Sequence, residues 1–350
     1  MKGLALSLVE GVFPVLVLLQ DPGSDADRIR AKTPLTELER KAYSFPPAPA
    51  AKPRAAYTLA VVPVSFADRK IGESDLSAFF FEKLAAYYKA ASGGTFTLSG
   101  RVLAPVTLPV EKAKAREKDF VAALPAAGGC DGVAFVAAGP VGPRGSALWP
   151  HKESARGIDY VVLPEEAGAR ALGVAAHETM HLLGFSDKYD DEKASVGAAC
   201  ILGTGYLEKV PSPPCADCRV KLGWTAAAPL DPRKPAAIVM APGPPRALRI
   251  DLNADATESL LLELRERLFV WHVGGGTKIE LVGSYPAESR DRLTPLSDPP
   301  FRGRTLGSRP VWITDIRLED GRAWFRVGPD APLTPAEEVR RASVGKRLGD

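Results

Sequence analysis

Apolar residues recur along this chain with two periods, and the changes of period outline the fold. "YTLAVVPVSF" (Tyr57 to Phe66) is rich in β-branched and aromatic residues and predicts a strand. In Glu73–Ser92 the spacing becomes helical, with Leu76, Phe80, Leu84 and Tyr87 three or four apart. Gly93-Gly94 then introduces "GGTFTLSGRVLAPVTLP", which predicts a strand or hairpin. Short unbroken apolar runs at Asp131–Gly139 and Ile158–Pro164 predict buried strands. Ala169–Gly184 is rich in Ala and Leu and free of proline, so it predicts a helix. From Pro235 to Val327 short strand signals alternate with turns: "IVMAPG", "ALRIDLN", "SLLLELRE", "LFVWHV" and "PVWITDIRLEDGRAWFRV". That rhythm predicts an all-β sandwich. The fold class expected is therefore α+β, with a mixed domain over 57–230 and an all-β domain over 235–329.

The ends of the chain read differently. Lys2 is followed by an apolar run from Gly3 to Leu19, so residues 1–20 resemble a secretory signal peptide. Glu10 and Pro14 interrupt the run, which makes it marginal as an uncleaved membrane anchor; an N-terminal core segment is the remaining alternative. Residues 21–56 predict an extended linker or pro-segment, and 330–350 a loose charged tail. Net charge is only +3 in 350 residues. No basic stripe with interleaved aromatics is present, which argues against a nucleic-acid partner, and no solenoid or propeller period repeats.

Candidate chemistry sits in the predicted helix 169–184. The chain has four histidines, and two of them fall in "HETMHLLGFSDKYD" (His177 to Asp190). Residues four apart lie on one helical face, so His177 and His181 can reach one ion. Glu178 is about 100° round the helix, beside such an ion and suited to handling the proton of an activated water. Gly184 can end the helix in a left-handed conformation, and Asp187 is the first strong ligand after the turn. Glu263 is the reserve third ligand. Zinc is the expected cofactor; the acidic run Asp190, Asp191, Glu192 makes calcium a further candidate. Tyr189 and His151 are candidates to support the ligands or line the cleft, His151 from a loop after Trp149-Pro150. His272, in an apolar strand, reads as a core histidine. Glu263 and Arg265 read as an ion pair between the two domains. Cys200, Cys215 and Cys218 cluster as C-x14-C-x-x-C. In an exported protein that suggests a disulfide from Cys200 to Cys215 or Cys218; in a reducing compartment, part of a second zinc site; free thiols are the third alternative.

Several stretches together resemble the immune inhibitor A family of secreted metallopeptidases, the M6-like group. "AAYYKAASGGTFTLSGRV" is similar to its Tyr-Tyr helix and following strand, and "CDGVAFVAAG" to its Asp-Gly strand. "LWPHKES" resembles a Trp-x-His segment upstream of the active helix. "HETMHLLGFSDKYD" resembles the zinc motif, "RVKLGW" a Lys-Leu-Gly-Trp element, and "ESLLLELRER", "VWHV" and "ITDIRLEDGRAWFRV" later strands. The likeness spans about residues 57 to 328. It implies a zincin/metzincin-like catalytic domain with zinc held by His177, His181 and Asp187, and Glu178 as general base. The family's methionine turn is replaced by "CILGTG", with Leu202 in the methionine's place, and Gly274 follows "VWHV" where an acidic residue is usual. The activity implied is zinc-dependent endopeptidase action on protein or peptide substrates, by a monomer secreted or held outside the cytoplasm. The rival is an exported binding or adhesion protein that retains the zinc fold with little or no turnover.

Overall fold

The unbroken apolar runs at 57–66, 131–139 and 158–164 become the central strands of one sheet in the structure, a computed structural model. It describes residues 16–18, 54–125, 129–167, 171–188, 196–232, 236–240, 247–253, 256–274, 279–285, 311–319 and 321–328. Among these the chain is α+β, with three sheets and few helices. It divides into two units: Pro49–Ala226 with Lys278–Leu281, and the remainder.

In the first unit, β2 (Ala56–Ser65), β3 (Thr97–Val102), β5 (Gly132–Pro140), β6 (His151–Ala155) and β7 (Ile158–Glu166) form a sheet in the order β3-β2-β5-β7-β6. Short β4 (Val106–Thr107) continues alongside β2. All neighbours are parallel except β6, which runs antiparallel to β7 at the edge. Parallel strands covered on both faces have no solvent side, so their sequences do not alternate. On one face Val62, Val64, Val133, Phe135 and Val162 share a core with Phe120 of α2 (Glu117–Ala122). The alternate residues, Leu59, Val61, Ala134 and Val161, are equally buried.

The first predicted helix, α1, is continuous over Leu76–Ala78, Phe79–Leu84 and Ala85–Ala91, with the middle segment wound as a π-helix. Asp75 caps it by accepting from the Ala78 N–H at 2.8 Å. The motif helix, α3 (Ala171–Leu182), lies against β6, β7 and α1. The Tyr88 hydroxyl on α1 donates to the Ala176 carbonyl on α3 at 2.5 Å, wholly out of water. At Gly173 a Cβ would stand 2.0 Å from the Tyr206 carbonyl oxygen, so α3 and the 3-10 turn Gly205–Leu207 meet backbone to backbone. A fourth helix, α4 (Ala216–Lys221), covers part of the C-x-x-C stretch.

Of the strand or hairpin expected after Gly94, the strand forms: β3 and β4 both run parallel to β2. One expectation changes in this sheet. His151 is not in a loop but opens β6, opposite Val162. A two-residue turn, Arg156-Gly157, joins β6 to β7 with φ of 54° and 75°, the paired left-handed conformation whose twist suits a tight hairpin.

The second unit holds β8 (Ala227–Pro229), β9 (Ala236–Met240), β10 (Ala247–Asp251), β11 (Ser259–Leu264), β12 (Leu268–Val273), β13 (Ile279–Tyr285) from Val282 onward, β14 (Trp312–Glu319) and β15 (Arg322–Gly328). They make two sheets, β13-β12-β11-β10-β8 and one in which β9, β15 and β14 are neighbours. Inward residues of both, among them Ile238, Ile250, Leu262, Val270 and Phe325, share one core. β15 alternates buried Ala323, Phe325 and Val327 with exposed neighbours, as a strand with one wet face should. Leu16–Leu18, inside the run read as a signal peptide or anchor, forms β1 antiparallel to β9. Glu263 and Arg265 pair within this unit rather than between units, and the Trp271 indole N–H donates to the same carboxylate at 2.9 Å. His272 is half-buried in β12 opposite Leu260.

Candidate metal centre

The end of α3 builds the centre. Gly184 takes φ 95°, which ends a helix without strain only at glycine. Its N–H bonds the His181 carbonyl at 3.0 Å, and the next N–H, of Phe185, bonds the Met180 carbonyl at 3.2 Å. These two bonds are the Schellman closure of a helix. The turn then orients a side chain: His181 Nδ1 lies 2.7 Å from the Phe185 carbonyl. His177 Nδ1 lies 2.8 Å from the Ile201 carbonyl. A carbonyl can only accept, so each Nδ1 carries the proton and each Nε2 offers a lone pair.

Both Nε2 atoms face Asp187, which the turn returns to the histidines. His177 Nε2 is 3.1 Å from His181 Nε2, and Asp187 Oδ1 is 3.0 Å from the first and 3.5 Å from the second. Ligand atoms about 2.0–2.1 Å from a tetrahedral zinc stand roughly 3.3–3.4 Å apart, so the triangle fits such an ion. A carboxylate between two imidazoles is also electrostatically consistent. Burial would lift the Asp187 pKa, but the imidazoles of His177 and His181 beside it hold it well below the usual carboxylate range. Burial would depress His181, and Asp187 and Glu178 outweigh it and raise its pKa.

Glu178 projects beside the triangle. It is buried, and its Oε2, 4.0 Å from His181 Nε2, has no hydrogen-bond partner. Burial is the main reason its pKa is raised, with the two histidines pulling the other way. An orphaned carboxylate oxygen is costly unless some ligand or water uses it.

These residues open on a cleft lined also by Arg144, Trp149, His151, Lys152, Tyr206 and Leu207. Tyr206 packs its ring 4.7 Å from that of His177; nothing in the Gly-rich "GTGYL" singles it out by sequence. Leu202 is buried, and its carbonyl accepts from the Lys188 N–H at 2.9 Å. Glu263 is not brought to the histidines; its carboxylate is committed to Arg265 and Trp271. Tyr189 and the acidic run Asp190, Asp191, Glu192 lie outside the described residues, and with them the supporting role expected of Tyr189 and the calcium expectation. All four cysteines are unbonded, including the three expected to supply a disulfide.

His151 is placed by a bond network that the sequence did not suggest. Its Nδ1 meets the Trp149 carbonyl, and its Nε2 meets Glu117 at 3.1 Å; Tyr160 donates to the other Glu117 oxygen. Burial works against a charged His151, yet Glu117 and the carbonyl raise its pKa. Burial works against a charged Glu117, yet His151 and Tyr160 lower its pKa. A raised histidine contributes stability below its unfolded value of 6.5 and loses it as pH rises through the folded value. A lowered carboxyl contributes above its unfolded value of 4.5 and loses it on acidification. The pair therefore acts between those limits. Glu117→Gln is expected to lower the thermal midpoint at about pH 5.5 and to lower it less at about pH 8.5. Equal losses at both would show that the pair's charge is not what matters.

No protein-family model matches the chain, and a search of curated proteins finds no match.

Proposed function

We propose that the chain is a zinc-dependent endopeptidase with a metzincin-like catalytic domain, as its resemblance to the immune inhibitor A family implies, followed by a β-sandwich. The observation that carries this reading is the ligand triangle with edges of 3.0, 3.1 and 3.5 Å next to a buried, orphaned glutamate oxygen. His177, His181 and Asp187 would hold the ion through three protein ligands, the number typical of a catalytic zinc site. Bound there, zinc supplies Lewis acidity that makes water a nucleophile near neutral pH and polarises a carbonyl.

The protein's own groups do the rest. The Ile201 and Phe185 carbonyls fix the tautomer and ring plane of each histidine. Glu178 takes the proton from the attacking water and hands it to the departing amine, a general base and then a general acid. Its raised pKa suits both halves of that task. The cleft lining includes exposed Trp149 and Leu207, apolar surface that suits an extended, unfolded polypeptide.

Incubation with denatured casein tests the reading. Cleavage is expected, abolished by a chelator and restored by zinc. Casein left intact by the zinc-loaded full chain would overturn endopeptidase action.

A further inference from the structure

A second cluster lies behind the histidine site. We propose that Cys200, Cys215 and Cys218 bind a structural divalent metal ion of the thiophilic, tetrahedral kind, zinc foremost. All three thiols are fully buried, and their sulfurs lie within 4.8 Å of one another. Cys215 Sγ and Cys218 Sγ are 3.6 Å apart. Sulfurs about 2.3 Å from a tetrahedral zinc stand roughly 3.8 Å apart, whereas a disulfide requires about 2.05 Å. The Cys215 N–H donates to Cys200 Sγ at 3.3 Å, a bond that favours a thiolate.

Counting the cysteines favours a metal over a disulfide. Three cannot all pair with one another, and Cys130 packs against a core cluster that includes none of them. A disulfide would leave a lone buried thiol, while one ion engages all three.

The charges around the sulfurs point the same way. Lys188 is buried, within electrostatic reach of all three sulfurs. Its carboxylate partner Asp217, 3.2 Å away, is also shared with Lys221 at 3.0 Å. Bare thiolates packed this closely would repel one another, and a divalent ion between them removes that repulsion, with Lys188 adding favourable charge nearby. Three protein ligands leave one tetrahedral corner for a small ligand such as water.

The site would brace the histidine centre. Cys200 directly precedes Ile201, which orients His177, and Leu202, which holds the Lys188 N–H next to Asp187. An ion on the sulfurs therefore ties segment 200–202, segment 187–188 and α4 together.

Metal counting and cobalt exchange on the reduced full chain test the proposal, independently of any peptidase activity. The parent is expected to hold two zinc ions per chain and His181→Ala one. Cobalt-loaded parent and His181→Ala should both show the near-ultraviolet sulfur-to-cobalt charge-transfer band, and Cys218→Ser should lack it. The parent and His181→Ala spectra decide the matter even if Cys218→Ser fails to fold. Absence of that band from the cobalt-loaded parent would overturn the proposal. So would an intact mass, measured without reductant, lighter by the two hydrogens of a disulfide.

Discussion

Glu178→Gln is expected to cut turnover of an unfolded protein substrate by about 10²–10⁴-fold, the range for losing a general base, while zinc content stays at the parental level. Glutamine keeps the shape of the side chain and removes its basicity. The position is deep enough for that distinction to matter: Glu178 is 5 % exposed and one of its oxygens has no hydrogen-bond partner. None of the three ligand atoms belongs to it, so the ion has no reason to leave. Side-by-side metal analysis and casein kinetics give the answer. Undiminished turnover would remove Glu178 from the chemistry. Zinc lost together with activity would mean that its carboxylate helps to hold the ion.

Asp187→Ala should empty the histidine centre at zinc concentrations that keep the parent full. Losing even an outer-shell partner of a ligand costs about 10–100-fold in affinity, and the loss of one ligand in three should exceed that. The side chain is 41 % exposed and sits after the helix-ending turn, outside the core, so the fold should survive. Glu263→Ala makes the contrast. Its carboxylate is wholly buried against Arg265 and Trp271, and truncating one partner of such a pair costs about 3–5 kcal/mol. That variant should unfold earlier without losing affinity at the histidines. Calorimetry and competition with a chromophoric chelator separate the two effects. Unchanged zinc affinity in Asp187→Ala would show that the third ligand is misassigned.

What the sequence made legible follows from how local each cause is. Helix α3, its glycine stop and the return of Asp187 are set within about ten residues, and all were readable from "HETMHLLGFSD". Strands β5 and β7 were readable because burial on both faces leaves an unbroken apolar run. Edge strand β6 was not. His151, Lys152 and Glu153 look polar and loop-like, and the turn after them starts with Arg156 at positive φ, where asparagine, aspartate or glycine would have signalled a hairpin. β3 and β4 were left open between a strand and a hairpin because nothing local says that both will run parallel to β2. The bonds from Glu117 to His151 and Tyr160 join residues 34 and 43 positions apart, and Tyr206 reaches His177 from a 3-10 turn. Such partners carry no local mark. The cysteines were visible as a group, but a shared gap between three sulfurs, rather than one S–S bond, is a fact of three dimensions.

The approach of Gly173 to the Tyr206 carbonyl has a consequence for mutational tolerance. A methyl group at position 173 would stand 2.0 Å from that oxygen, so even alanine must push the 205–207 turn away from the helix and carry Tyr206 from the face of His177. In a comprehensive substitution screen, a residue with no chemistry of its own would thus score as harshly as a zinc ligand. Scored by activity, the two kinds of position would be indistinguishable. Scored by zinc retention they should part, because position 173 governs how wide the cleft stands, while His177 and His181 govern whether the ion is there.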